Sequence, residues 1–173
     1  MSSKTIILGA GCFWGVEAAF QLLPGIEKTS VGYSGGKTHK PTYEEVCTKS
    51  TGHYEVVQLT YDPLIISREK ILTLFFFIHH PTQDNGQGND IGPQYLSVLF
   101  YKNEEEKLFF ENYIQNIAPT YAAPIQTKIL LETIFYPAEE YHQNYLVKNP
   151  TGYCHINMQK VKEFLDSPIF GLK

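Results

Sequence analysis

The same order of hydrophobic patterns occurs twice in the chain: an apolar strand, then an amphipathic helix, then a second strand. The residues of these two units are 5–9, 16–23 and 26–33 in the first, and 54–61, 68–78 and 95–101 in the second. Because an amphipathic helix between two strands packs its apolar stripe onto the sheet, this order predicts a two-layer α/β domain. The length of 173 residues and the 43% hydrophobic content are sufficient for one core.

Further elements are predicted outside these two units. Thr42 and Glu45 form a capping-box pattern that starts a short helix, and Asn103 with Glu106 does the same for a helix at 104–117. The other predicted segments are a strand at 126–134, a helix at 138–147, a short helix at 158–166, and long polar loops at 34–41 and 82–94. Loops of this length are candidates for parts of a functional site.

Charge and cysteine content exclude several classes of function. The net charge is −4 and no run of Lys or Arg forms a basic stripe, so neither nucleic acid nor an anionic membrane is a predicted partner. No signal-peptide pattern or membrane-length apolar stretch is found, which predicts a cytoplasmic protein. Three cysteines without a CxxC pair indicate reduced or redox-active thiols rather than a secreted disulfide framework.

The segment 11–15, Gly-Cys-Phe-Trp-Gly, lies where the first strand gives way to the first helix. Cys12 at this position suits a nucleophile, although free cysteine is also among the residue types most often buried. A helix N-terminus stabilises an anion by only about 0.3–1 kcal/mol, which is less than one pKa unit. Ionisation of Cys12 therefore needs a substrate or a nearby proton donor. Phe13 and Trp14 fit either a pocket wall or the core.

Glu55 is the candidate proton donor. It shares one face of the strand 54–61 with Val57 and Leu59, and this face is the more apolar of the two. Desolvation there favours the neutral carboxylic acid, which can give up a proton. The alternative is a charge at the strand end that faces water.

Three further candidates are polar residues outside the strands. Asp90 lies in the glycine-containing segment 87–92, where an aspartate more often caps a turn than takes part in catalysis. Tyr43 and Tyr95 can donate hydroxyl hydrogen bonds to a substrate oxygen, although most tyrosines only bury a ring and satisfy the hydroxyl.

Cys154 ends the segment 149–154, which is rich in helix breakers. A second thiol on such a segment suits attack on an oxidised Cys12, but the sequence does not show that the two meet. Cys47 in the short helix is interpreted as a packing residue. A zinc site is not favoured, because Cys154 and His155 are adjacent and no ligand pair has the usual spacing.

Taken together, these motifs resemble the A class of the peptide methionine sulfoxide reductase family. The matching segments are, in chain order, 11–15, 31–36, 41–47, 51–57, 87–92, 94–95, 138–143 and 149–154. The resemblance implies an α+β fold: a two-layer α/β sandwich with a mixed sheet, a ferredoxin-like core and an irregular C-terminal segment. It also implies one catalytic domain, 1–173, in which the coil-rich segment 148–173 carries a resolving cysteine.

The resemblance implies reduction of the S epimer of methionine sulfoxide, free or in proteins, to methionine. Cys12 would attack the sulfoxide sulfur and become a sulfenic acid, Glu55 would protonate the oxygen, and Cys154 would then form a disulfide with Cys12. The implied substrate-binding residues are Phe13 and Trp14 around the methyl group, Tyr43 and Tyr95 at the oxygen, and Asp90 on the polar side. The implied protein is a monomer without metal or cofactor, and thioredoxin is its external reductant.

Three positions depart from the family pattern, which often has Trp at Phe76, Asp at His80 and Arg at Leu96. These departures concern the loop geometry near 79–96. No cysteine follows Cys154, so a relay through a third thiol there is absent.

Two other functions compete with the reductase. A cysteine-dependent acyl transferase would use His53 or His142 as its base and would need no reductant. A binding module would recognise oxidised methionine without turnover.

Overall fold

The computed structural model describes residues 2–168 and 170, and most of its elements lie where the patterns place them. The strands are β1 (Lys4–Gly9), β2 (Ile26–Ser34), β3 (Tyr54–Tyr61), β4 (Gly86–Gln87), β5 (Asp90–Ile91), β6 (Val98–Tyr101), β7 (Lys128–Leu131) and β8 (Tyr136–Pro137). The α-helices are α1 (Phe13–Gln21), α2 (Tyr43–Cys47), α3 (Arg68–Phe77), α4 (Glu104–Ile117), α5 (Tyr145–Lys148) and α6 (Met158–Asp166). Short 3₁₀ turns occupy Pro93–Tyr95, Ala118–Thr120 and Glu140–His142.

The main sheet has the strand order β7-β6-β1-β3-β2-β8. Its central strands are antiparallel, with Leu8 opposite Val57 and Ile7 opposite Phe100, whereas β6 and β7 are parallel. The elements β1, α1, β2, β3, α3 and β6 follow one another in this order along the chain, and their strands lie side by side as β6-β1-β3-β2, which is a ferredoxin-like unit. The predicted two-layer fold with a mixed sheet and a ferredoxin-like core is therefore confirmed.

The helices cover one face of the sheet and form the larger core with it. On β3, Val57 and Leu59 belong to this core, together with Phe20 of α1 and Phe75 of α3. The opposite face carries a smaller cluster built from Ile7, Val56, Val98 and Phe100. Because side chains alternate along a strand, Glu55 shares the face of Val57 and Leu59 and is directed into the helical layer.

The predicted helix at 138–147 is wrong. A 3₁₀ turn and the short α5 replace it, separated by Asn144 at φ +53°. The Gln143 side chain accepts from the Val31 N–H and donates to the Val31 carbonyl oxygen. Glu17 accepts from the Asn144 N–H. These bonds tie the segment to β2 and α1, and they outweigh its helical pattern.

The other differences concern the bounds of elements. The strand predicted at 95–101 starts at Val98 because Pro93–Tyr95 forms a 3₁₀ turn, and the strand predicted at 126–134 is reduced to Lys128–Leu131. The predicted loop 82–94 contains the β4–β5 hairpin. The capping box at Thr42 and the short helix predicted at 158–166 are both confirmed.

Among the helices of the described residues, none has the length and apolar character needed to cross a membrane.

Candidate active site

The turn between β1 and α1 presents Cys12 directly before the helix. Gly11 adopts φ +99°, and a Cβ atom there would lie 2.9 Å from the Cβ of Gln87. Glycine at this position therefore allows both the left-handed backbone and the close approach of the β4–β5 hairpin. Cys12 is 8% exposed, so the residue is almost completely buried.

The surroundings of Cys12 keep its thiol protonated. Burial raises the pKa of Cys12 well above its ordinary value, and a charge on Glu55 would raise it further. The backbone N–H of Trp14 acts in the opposite direction but is the weaker effect. The helix N-terminus thus does not ionise this thiol, in agreement with the magnitudes argued from the sequence.

Glu55 is a buried acid next to the turn that carries Cys12. It is 1% exposed, and its Oε1 accepts from the Phe13 N–H at 3.2 Å. Its Oε2 is buried and has no partner among the described residues. Burial raises the pKa of Glu55 to about 8, and this effect exceeds the lowering by the Phe13 N–H. At neutral pH Glu55 is therefore mostly a neutral acid, as its position on β3 predicts.

Tyr43 and Tyr95 lie near this acid. Both are half-buried, and the pKa of each phenol is raised first by burial and then by the charge that Glu55 would carry. Asp90 on β5 accepts a hydrogen bond from the Tyr153 hydroxyl at 3.0 Å. Both tyrosines are therefore close enough to Glu55 to respond to its charge, whereas the Asp90 carboxylate joins the hairpin to the C-terminal segment.

The two aromatic residues after Cys12 have different environments. Phe13 is 1% exposed and packs against Tyr33 and His142, with ring centroids 5.7 and 5.2 Å away. Trp14 is half-buried, and its indole stacks on Tyr145 at a centroid distance of 3.7 Å. Phe13 thus belongs to the core beneath the turn, and Trp14 lies between the core and the surface.

The C-terminal segment covers the first turn of α1. Cys154 is half-buried, and its Sγ lies 3.1 Å from the point where a Cβ atom on Gly15 would be. The Cys154 thiol donates to the Ile156 carbonyl oxygen at 3.2 Å. His155 Nε2–H donates to the Ala10 carbonyl oxygen at 3.0 Å. The second thiol therefore lies against the helix that Cys12 precedes, which the sequence did not show. Cys12, Cys47 and Cys154 are all free.

Sequence reasoning missed two supports of the site in the segment 138–143. Glu139 accepts from the Tyr33 hydroxyl at 2.9 Å and from the Tyr43 N–H at 2.8 Å. His142 accepts from the Trp14 indole N–H at 2.9 Å. Both residues belong to the matched motif 138–143. Because that segment is predicted as a helix, their contacts with α1 and α2 were not expected.

Neither histidine of the acyl-transferase alternative is available as a base for Cys12. His53 accepts from the Gly36 N–H at 3.0 Å and donates to the Thr38 carbonyl oxygen at 2.8 Å. His142 Nδ1 is occupied by the indole of Trp14.

The three departures from the family pattern lie in ordered structure, on α3 and on either side of the β4–β5 hairpin. Phe76 is buried and stacks on Tyr113. The backbone N–H and carbonyl oxygen of His80 both bond to the Gln87 side chain, at 2.8 and 2.6 Å. Leu96 is half-buried after the 3₁₀ turn. Within the part of the chain that the structure describes, no group of three His, Cys, Asp or Glu side chains could hold a metal ion.

The chain has a ferredoxin-like fold and a thiol next to a neutral carboxylic acid. These features are those of an α/β protein that uses a cysteine as a nucleophile. A family model described as peptide methionine sulfoxide reductase matches residues 4–170. The chain therefore belongs to the peptide methionine sulfoxide reductase family.

Individual relatives agree with this assignment. Peptide methionine sulfoxide reductase MsrA of Photobacterium profundum is 54% identical over 154 residues, which cover 86% of this chain and 73% of that protein. Methionine sulfoxide reductase A of Corynebacterium diphtheriae superposes with a TM-score of 0.85 at 38% identity, covering 88% of this chain and 78% of that one. Mxr1 of Saccharomyces cerevisiae, solved in complex with Trx2, gives a TM-score of 0.60 at 27% identity, covering 83% and 84%.

Proposed function

We propose that this protein reduces the S epimer of methionine sulfoxide, free or in proteins, to methionine, and so repairs oxidised proteins. The observation that carries the proposal is a buried Glu55, neutral at pH 7, bonded to the amide that follows Cys12. Such an acid can protonate a sulfoxide oxygen while the adjacent sulfur attacks. The names of the relatives support the same reaction.

The first step transfers the sulfoxide oxygen to Cys12. The Cys12 sulfur attacks the sulfoxide sulfur, Glu55 gives its proton to the oxygen, and the thiol proton returns to the carboxylate. The protonated oxygen then passes to the Cys12 sulfur as the new sulfur–sulfur bond and the sulfoxide sulfur–oxygen bond break, so the thioether leaves reduced by two electrons and Cys12 becomes a sulfenic acid. We propose that Tyr43 and Tyr95 hold the oxygen, which their position beside Glu55 supports.

The pocket also needs an apolar wall and a polar side. We propose that Trp14 and Phe13 enclose the methyl group, and their place directly after Cys12 supports this. Asp90 supports the polar side, where its bond with Tyr153 links the hairpin to the C-terminal segment.

The second step returns the enzyme to its resting state. Cys154 attacks the Cys12 sulfenic acid, a disulfide forms and water leaves, and a dithiol then reduces the disulfide. The position of Cys154 against Gly15 supports its role as the resolving cysteine. We propose thioredoxin as the reductant, and the complex of the related yeast Mxr1 with Trx2 supports this choice.

We further propose that 1–173 is one catalytic domain that acts as a cytoplasmic monomer without a bound cofactor. Within this domain, the C-terminal segment 148–173 supplies Cys154. The first turn of α1, which follows Cys12, lies against Cys154 of the C-terminal segment, and this contact between distant parts of the chain supports a single domain.

An epimer-resolved assay tests the proposed function. With thioredoxin as reductant, we expect turnover of dabsyl-methionine S-sulfoxide and not of the R epimer. Cys12→Ser should abolish this turnover because serine cannot form the sulfenic acid, whereas the matched control Cys47→Ser should retain it. Ester hydrolysis without reductant would instead support an acyl transferase. Substrate binding without turnover in the wild type would support a binding module.

The pH profile of the first step should report the protonation of Glu55. Because the acid donates only in its neutral form, the single-turnover rate should be highest below its pKa of about 8. Above that pH the rate should fall about tenfold per pH unit, as the protonated fraction does. Rapid-quench measurement of methionine from about pH 6 to pH 9.5 checks this profile. A rate that rises with pH would indicate that Cys12 ionisation limits the step instead.

A further inference from the structure

One buried side chain contacts three of the aromatic residues that are proposed to bind the substrate. The His142 ring contacts those of Phe13, Trp14 and Tyr43 at centroid distances of 5.2, 5.7 and 4.5 Å. The ring of Tyr141 covers it at 4.1 Å. His142 is 1% exposed. Three residues proposed to bind substrate thus share a single buried neighbour.

The hydrogen bond from Trp14 fixes the state of this imidazole. An indole N–H can only donate, so His142 Nδ1 accepts and the ring hydrogen is on Nε2. Burial lowers the pKa of His142, which favours the same neutral form. The Nε2 atom is buried without a partner among the described residues. The Trp14 bond is therefore the only side-chain hydrogen bond that His142 makes there.

The backbone around His142 is anchored on both sides of the ring. The Gln143 side chain bonds to the Ala138 carbonyl oxygen as well as to β2, and Glu17 holds the Asn144 N–H. Stacking of Trp14 on Tyr145 sets the plane of the indole, but a rotation of about 180° around the Cβ–Cγ bond keeps that plane and moves the indole N–H to the opposite side. The bond to His142 sets the remaining direction.

We propose that His142 is a positioning residue that fixes the orientation of Trp14 in the wall of the substrate pocket. This inference rests on the proposed function and extends it. A phenylalanine would fill the same space but would leave the indole N–H without its acceptor. His142 therefore acts on substrate affinity through Trp14, and it does not touch the reacting atoms.

The test compares His142→Phe, which keeps a ring and removes the acceptor, with His142→Asn, which can restore an acceptor near the Nδ1 position. Because Trp14 is the single tryptophan of the chain, its fluorescence reports this bond directly. His142→Phe should shift the emission maximum and raise the substrate concentration at half-saturation in single turnover about three- to tenfold, the usual effect of one lost hydrogen bond. The saturating rate should stay within about twofold, and His142→Asn should lie closer to the wild type. The control His39→Phe changes an exposed histidine.

A double-mutant cycle separates this role from general packing. Trp14→Phe removes the donor, so adding His142→Phe to it should change half-saturation by less than about twofold. If His142→Phe does not fold, the other two single variants test the proposal. Trp14→Phe removes only the donor and should weaken substrate binding, whereas His142→Asn keeps an acceptor and should not. Unchanged emission and half-saturation in His142→Phe, or equal effects with and without Trp14, would overturn the proposal. The emission readout needs no turnover, so an inactive wild type would refute the proposed function and leave this inference measurable.

Discussion

Replacing Glu55 with glutamine should slow the reduction of methionine sulfoxide in a single turnover by about 10²–10⁴-fold. Glutamine has nearly the same shape, and its Oε1 can still accept from the Phe13 N–H. It cannot give up a proton at accessible pH, so the developing charge on the sulfoxide oxygen stays unneutralised. Because the pocket shape persists, the substrate concentration at half-saturation should change little. Rapid-quench measurement of methionine under reductant-free conditions gives both quantities.

Glu106→Gln is the matched control for this experiment. Glu106 is another buried glutamate, but it lies on α4 and accepts from the Lys102 N–H. Its variant should reduce sulfoxide at the wild-type rate even if it loses some stability. The alkaline decline of the rate should also disappear in Glu55→Gln, because the titrating acid has been removed. An unchanged single-turnover rate in Glu55→Gln would refute the donor role.

Replacing Cys154 with serine should stop the enzyme after one catalytic event. The variant should release one equivalent of methionine at the wild-type rate, since Cys12 and Glu55 remain. It should then accumulate the Cys12 sulfenic acid, because serine cannot displace water to form a disulfide. Mass spectrometry after trapping with dimedone detects this species, and adding thioredoxin should not restore the wild-type turnover.

Cys47→Ser again serves as the control, with normal recycling expected. Disulfide mapping of the wild-type enzyme after one turnover should show the Cys12–Cys154 link. Sustained turnover of Cys154→Ser with thioredoxin at the wild-type rate would show that the reductant attacks Cys12 directly.

Local chemistry in the sequence predicts most of the fold. The strand and helix periods locate the elements of the ferredoxin-like unit, and the caps at Thr42 and Asn103 locate the additional helices α2 and α4. The helix prediction for 138–147 is wrong because side-chain hydrogen bonds to distant strands and helices stabilise a different backbone than its helical pattern favours. Gln143 and Asn144 bond to residues more than a hundred positions earlier in the chain, and no local pattern encodes such partners.

In the candidate site, too, local sequence patterns predict some features and not others. The two-residue period of β3 predicts the burial of Glu55, and burial accounts for its raised pKa. The position of Cys154 against α1 depends on how the C-terminal segment packs, which sequence separation leaves open. The contact of His142 with Trp14 could be recognised only once the backbone of the segment 138–147 was known.

Burial of Cys12 has a consequence for an enzyme exposed to oxidants. Peroxides attack thiolates much faster than thiols, and further oxidation to sulfinic acid is irreversible in most proteins. A sulfur whose pKa is raised by burial offers little thiolate, so we expect it to react slowly with hydrogen peroxide. We therefore expect the resting protein to resist oxidative inactivation under the conditions that generate methionine sulfoxide.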